Sequence, residues 1–210
     1  TKFYDNKSAL QGFREALLQN PNNKNLKEIV ENCPEDHSGA YFSYFGLAKS
    51  GFEEPMTTHS DHYNSNYAYS TAAYSKGEVF MEQLGYIVGA EVRNKILLEY
   101  YNKWRFKHPN ANDLIRVAED VSGIQLDWYK EYWVSTTKTI DYKIDSLWEE
   151  NGISKIRLKR IGHMPMPVDL QLTYKDGSTE MFNIPLNLMF GNKPNEQPAQ
   201  KREVLQEWKW

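Results

Sequence analysis

The 210 residues are 40% hydrophobic and 25% charged, with a formal net charge of -3, the balance of a globular chain long enough for one large domain or two small ones. So little net charge argues against a nucleic-acid-binding protein, because neutralising phosphates needs a concentrated basic patch. The one cysteine, Cys33, excludes an intrachain disulfide and any multi-cysteine metal site, and no run approaches the ~18 apolar residues of a membrane span.

The chain opens on Thr1 rather than Met, with no signal peptide before it, so the true N-terminus is expected to lie elsewhere. A helix is expected over 10–19, then the loop Asn20-Pro21-Asn22-Asn23, a short helix over 26–31, and a third over 40–50 with Gly51 as its stop. The segment 67–89 carries the strongest helical signal, because Phe80, Leu84, Ile87 and Val88 fall at i, i+4, i+7 and i+8 and make one apolar stripe. In the next helix, 91–105, Val92, Ile96, Leu97 and Tyr100 recur at helical spacing. The segment 110–121 opens on Asn and Asp capping choices and stops near Gly123. A last short helix, 127–134, carries Trp128, Tyr132 and Trp133.

Near residue 137 the period changes to two. Ile140, Tyr142 and Ile144 alternate with polar residues, and Ile156, Leu158 and Ile161 nearly do, with a slip that implies a bulge. The basic residues from Lys155 to Arg160 fit the solvated face of that strand. Val168, Leu170, Leu172 and Tyr174 alternate up to Asp176-Gly177, a hairpin signal, and Met181, Ile184 and Leu186 continue the return strand. The expectation is an α+β chain with a helical domain over 1–136 and an antiparallel, β-sandwich-like domain over 137–210. The Pro/Asn/Gln-rich stretch 192–200 reads as a loop.

Histidine is the first place to look for chemistry. His59 and His62 are three apart and no Glu follows His59, whereas H-E-x-x-H needs two His at i, i+4 with a Glu between as general base. They are read as loop histidines bonded to backbone, and His37, His108 and His163 as isolated. The sequence has no Gly-rich phosphate loop and no G-x-S-x-G elbow. Cys33 stands near Glu31 and Glu35, which disfavour a thiolate. The pairs Glu53-Glu54 and Glu149-Glu150 are read as solvated charges. Tyrosine remains. At 100° per residue Tyr69 lies about 20° from Phe80, on the buried stripe, whereas Tyr74 lies roughly 120° away and should emerge on another face, within about 20° of Tyr67.

The segment Tyr69-Ser70-x-x-x-Tyr74-x-Lys76-Gly77, with the amphipathic helix after it, resembles the region downstream of the zinc site in M1 (gluzincin) aminopeptidases. Lys107-His108-Pro109-Asn110-Ala111-Asn112-Asp113-Leu114-Ile115 looks like that family's Pro-containing turn and capped helix. Ser122-Gly123-Ile124-Gln125-Leu126-Asp127-Trp128-Tyr129 resembles its Ser-Gly-x-x-Leu-Asp-Trp signature, and the strands through Met164-Pro165-Met166-Pro167 look like its β-sandwich domain. The resemblance spans roughly residues 40 to 190, its strength lying in the order and spacing of the pieces.

The resemblance implies the helical part of a thermolysin-like catalytic domain followed by an incomplete β-sandwich. It also implies an enzyme that removes N-terminal residues from peptides with Zn2+, bound by the two His of H-E-x-x-H and a distant Glu. No H-E-x-x-H occurs in these residues, so the ligands are expected in a preceding part of the same protein, and this chain alone is expected to bind no catalytic zinc and to be inactive. Tyr74 matches the family Tyr that donates a hydrogen bond to the oxyanion of the tetrahedral intermediate. Tyr69 matches a second Tyr lining the cleft, and Lys76-Gly77 is assigned no catalytic role. A tyrosine phenol, with a pKa near ~10, keeps its proton at pH 7 and can go on donating. The expected partners are a peptide substrate and the missing N-terminal part. The alternative is a non-catalytic M1-like scaffold or interaction module.

Overall fold

The computed structural model describes residues 7–32, 36–191 and 193; Cys33 and most of the stretch 192–200 lie outside them. The chain is α+β, with its helices first and its strands after. The helices are α1 (Lys7–Gln19), α2 (Lys24–Asn32), α3 (Ser38–Ser50), α4 (Asn66–Ser70), α5 (Gly77–Val88), α6 (Ala90–Trp104), α7 (Ala111–Ser122) and α8 (Asp127–Ser135). Between α4 and α5 the helix continues as a π turn, Thr71–Lys76. The strands are β1 (Tyr142–Glu150), β2 (Ile153–Arg160), β3 (Val168–Thr173) and β4 (Thr179–Ile184).

The helix ends follow their caps. Gly51 and Gly123 adopt φ of 76° and 70° at the C-caps of α3 and α7, left-handed values that cost glycine least. At the start of α7 the Asn110 side chain accepts from the Asn112 amide at 2.9 Å, and Asp113 accepts from the Asn110 amide at 2.9 Å. Together they close a capping box over donors that the first turn leaves open. Asn110→Ala is therefore expected to destabilise the protein by about 1 kcal/mol, read as a lower urea midpoint with an unchanged m-value.

The described chain divides into two compact units. One holds the residues up to Leu84 together with Tyr129–Thr139, and the other holds Gly85–Trp128 together with the described residues from Ile140 onward. One boundary falls between Thr139 and Ile140, just after α8, and α6 and α7 group with the strands.

In the first unit, Tyr41, Tyr44 and Leu47 of α3, Phe80 and Leu84 of α5, and Tyr129 and Trp133 of α8 are buried. Phe80 stacks on Tyr129 at 4.9 Å between ring centroids, and Tyr44 meets Trp133 at 5.8 Å. The Tyr129 hydroxyl donates to the Phe80 carbonyl at 2.5 Å. Burial, then the neighbouring Tyr41 and Tyr44, pushes that phenol well above its ordinary pKa, so it remains a donor.

In the second unit, Ile96 of α6, Ile115, Val117 and Ala118 of α7, Ile124, Leu126, Met164 and Met166 are buried. Tyr142 is tied to the Met-Pro segment on both sides, its hydroxyl donating to the Met166 carbonyl at 3.1 Å and accepting from the Met166 amide at 3.0 Å. The Tyr86 hydroxyl accepts from the Asp169 amide at 2.8 Å.

The strands make two separate antiparallel pairs, β1–β2 and β3–β4, rather than one sheet. The expected bulge is present, but it falls on β1: the register shifts between Ile144 and Ser146. That extra residue, Asp145, brings Ile144 (opposite Leu158) and Leu147 (opposite Ile156) onto one face despite their odd spacing. Lys143, Lys155, Arg157 and Lys159 occupy the other face, as the sequence pattern implies. Asp176-Gly177 lies in the β3–β4 connection, where Gly177 takes φ of 84° and its amide donates to the Tyr174 carbonyl at 3.0 Å.

Candidate functional site

The sequence singles out α4, the π turn and the start of α5. Ser65 caps α4, its hydroxyl accepting from the Ala68 amide at 3.1 Å. Four residues into the helix, the Ser70 hydroxyl donates back to the Asn66 carbonyl at 2.8 Å. That side-chain bond competes with the backbone ladder and loosens the helix where the π turn begins. The buried residues Ala68, Ala72, Lys76 and Phe80 are spaced by four. In a regular α-helix such spacing drifts about 40° per step. The wider turn takes up part of that drift and keeps the row facing the interior. Single π turns of this kind are frequent at functional sites.

Tyr74 sits on the outer side of the π turn and is 72% exposed, on a different face from buried Phe80, as the periodicity requires. Its hydroxyl has no hydrogen-bond partner among the described residues, leaving a phenol donor available to a ligand. Tyr67 is also exposed. Tyr69 is only half-buried, and the row assigned to it by periodicity is occupied by Ala68 and Ala72. Counting 100° per residue assumes an unbroken α-helix, and the π turn shifts the phase. Tyr69 instead packs edge-on against Tyr63 at 5.5 Å between centroids. The Tyr63 hydroxyl donates to the Pro55 carbonyl at 3.0 Å. Burial first, then the Glu54 carboxylate and Tyr69, raises its pKa.

Two assignments made from the sequence are corrected. Glu53 is not a solvated charge, since its side chain is 5% exposed and accepts from the Lys76 ammonium at 2.7 Å. Lys76, with its side chain 1% exposed, also donates to the Thr136 carbonyl at 3.2 Å and lies 5.8 Å above the Tyr44 ring. Burial and the Glu53 charge push the Tyr44 phenol upward. A lone Lys on a row of Ala and Phe was the signal, because an ammonium inside an apolar stripe needs a buried acceptor. Glu54, by contrast, accepts from the exposed amide and side chain of Asn64. His37 is not isolated either: its Nδ1 lies 2.6 Å from Glu78 and its Nε2 3.4 Å from Glu82. Those acids are four apart on α5, so one ring spans both.

His59 behaves as the sequence reading expects, its Nδ1 accepting from the Asp61 amide at 3.2 Å beside an exposed His62. Among the described residues no group of three or more His, Cys, Asp or Glu side chains is placed to hold a metal ion. Calorimetric titration of the purified chain with Zn2+ is expected to show no tight, stoichiometric binding; a tight 1:1 site would contradict this.

What the arrangement offers is a phenol hydroxyl on a solvent-facing turn, backed by a buried, hydrogen-bonded ion pair. No helix among the described residues is long and apolar enough to cross a membrane. No known protein family, curated protein or solved structure matches the chain.

Proposed function

We propose that the chain is the downstream part of a zinc-dependent aminopeptidase of the M1 kind, with Tyr74 as the hydrogen-bond donor to the oxyanion. In this reading α1–α8 belong to the helical part of a thermolysin-like catalytic domain and β1–β4 to an incomplete β-sandwich after it. The metal ligands belong to another segment of the same protein. The supporting observation is that the tyrosine matched by the family segment stands on a π turn with its phenol exposed and unengaged by any described residue.

The reaction is hydrolysis of the first peptide bond: water adds to the carbonyl carbon, the C–N bond breaks, and the products are an amino acid and a shortened peptide. As water adds, the planar carbonyl oxygen becomes an alkoxide-like oxygen of a tetrahedral centre. A phenol O–H aimed at that oxygen binds it more strongly in the transition state than in the ground state, which is the condition for raising kcat. The donor keeps its own proton throughout. Tyr69, edge-on to Tyr63, would line the same cleft.

The test uses the protein carrying this chain together with its metal-binding segment, loaded with Zn2+. It is assayed on a peptide with a free N-terminus and on the same peptide N-acetylated. The expected result is release of the first residue from the free peptide only. A folded, zinc-loaded protein that turns over neither would contradict this reading and favour a non-catalytic scaffold.

A further inference from the structure

We infer that the buried Lys76–Glu53 pair is a positioning device for Tyr74, an inference that rests on the aminopeptidase reading. Tyr74 makes no hydrogen bond to a described residue, so nothing holds the phenol except the backbone that carries it. That backbone is the π turn Thr71–Lys76, buried at Thr71, Ala72 and Lys76 and open at Tyr74. Its first half is fixed only by small side chains. Its second half is fixed by an ammonium that reaches Glu53 at 2.7 Å and the Thr136 carbonyl at 3.2 Å.

An apolar residue at 76 could be stabilised by burial in several rotamers, because hydrophobic contact is non-directional. An ammonium inside the protein must meet its acceptors at hydrogen-bond distance and angle. Two acceptors from separate segments, one before the helix and one after α8, therefore set both the depth and the rotation of the turn. Tyr74 lies two residues before that anchor. A buried ion pair is often replaceable by apolar residues with no loss of stability, so stability alone does not account for placing one here, whereas directional anchoring does.

The test compares the double variant Lys76→Met/Glu53→Leu with the unmodified protein. The double variant leaves no unpaired buried charge and so keeps the fold. In the zinc-loaded protein with its metal-binding segment, kcat is expected to fall between about 10- and 100-fold with KM little changed, the size of effect that a misplacement of about 1 Å produces. In a Tyr74→Phe background the same double change is expected to have almost no further effect, because its action runs through the phenol. An unchanged kcat, or an undiminished loss in the Tyr74→Phe background, would overturn the positioning role. If Tyr74→Phe by itself leaves turnover intact, the aminopeptidase reading of Tyr74 fails instead.

The anchoring can be read without activity. Amide hydrogen exchange at residues 74–77 is expected to accelerate about tenfold in the double variant while α7 is unchanged. Equal exchange in both proteins would refute the anchoring, whatever the assay gives.

Discussion

Tyr74→Phe is expected to lower kcat for N-terminal hydrolysis by about 10²–10³, with KM and folding stability nearly unchanged. The direction follows from what the substitution removes. One hydroxyl is lost, and no described residue depends on it. The ring is 72% exposed, so the remaining phenyl group makes the same few contacts. The loss is confined to the stage at which the carbonyl oxygen gathers negative charge, about 2.7–4 kcal/mol of transition-state stabilisation. A donor that merely bound substrate would raise KM and leave kcat alone. Steady-state kinetics on the zinc-loaded protein separates the two cases, and a matching thermal midpoint excludes unfolding as the cause. Unimpaired turnover in Tyr74→Phe would mean that the tyrosine is a surface residue of the turn and nothing more.

Lys76→Met alone is expected to destabilise the fold by about 3–5 kcal/mol, a large share of the stability of a typical domain. The cost comes from Glu53, whose side chain is 5% exposed and would be left buried with no cation beside it. Removing both charges, as in Lys76→Met/Glu53→Leu, is expected to recover most of that stability, because apolar side chains of similar volume satisfy a dry site. Urea unfolding of the two variants distinguishes these outcomes. Equal stability of the single and double variants would show that water reaches Glu53 and that the pair is weak. The opposite single change, Glu53→Gln, leaves Lys76 hydrogen-bonded to Thr136 and to a neutral amide oxygen, so a smaller loss is expected there.

Much of the secondary structure is legible in the sequence, because its signals are local. Gly51 and Gly123 end α3 and α7, and Asn110 with Asp113 opens α7, each acting within one turn of chain. The outward direction of Tyr74 is legible from helical period, since it differs from Phe80 by a large angle that a modest phase shift does not reverse. Tyr69 is not, because a small predicted angle is easily overtaken by the shift that the π turn introduces. For the ion pair, Lys76 on an apolar row signals a buried acceptor, but its identity is illegible: Glu53 is 23 residues away, and no local pattern tells a paired carboxylate from a solvated one. The same holds for His37, which is 41 residues from Glu78.

Strand pairing shows the limit from the other side. Alternation marks which residues share a face but not which strands lie together, and the four strands form two separate hairpins. The bulge at Asp145 is a hybrid case, in that the slip was visible in β2 while the extra residue lies in its partner.

Recognition of a tetrahedral oxyanion by the Tyr74 phenol, as proposed, is tested most directly by inhibitor binding. A phosphinic peptide analogue carries tetrahedral, negatively charged oxygens where the intermediate would have them, whereas a non-cleavable peptide analogue with a planar carbonyl resembles the ground state. Measured on the zinc-loaded protein with its metal-binding segment, Tyr74→Phe is expected to weaken the phosphinic ligand by about 10²-fold or more and to leave the planar ligand within a few-fold. Equal binding of both ligands by the unmodified protein and by Tyr74→Phe would contradict the claim and remove Tyr74 from the chemistry.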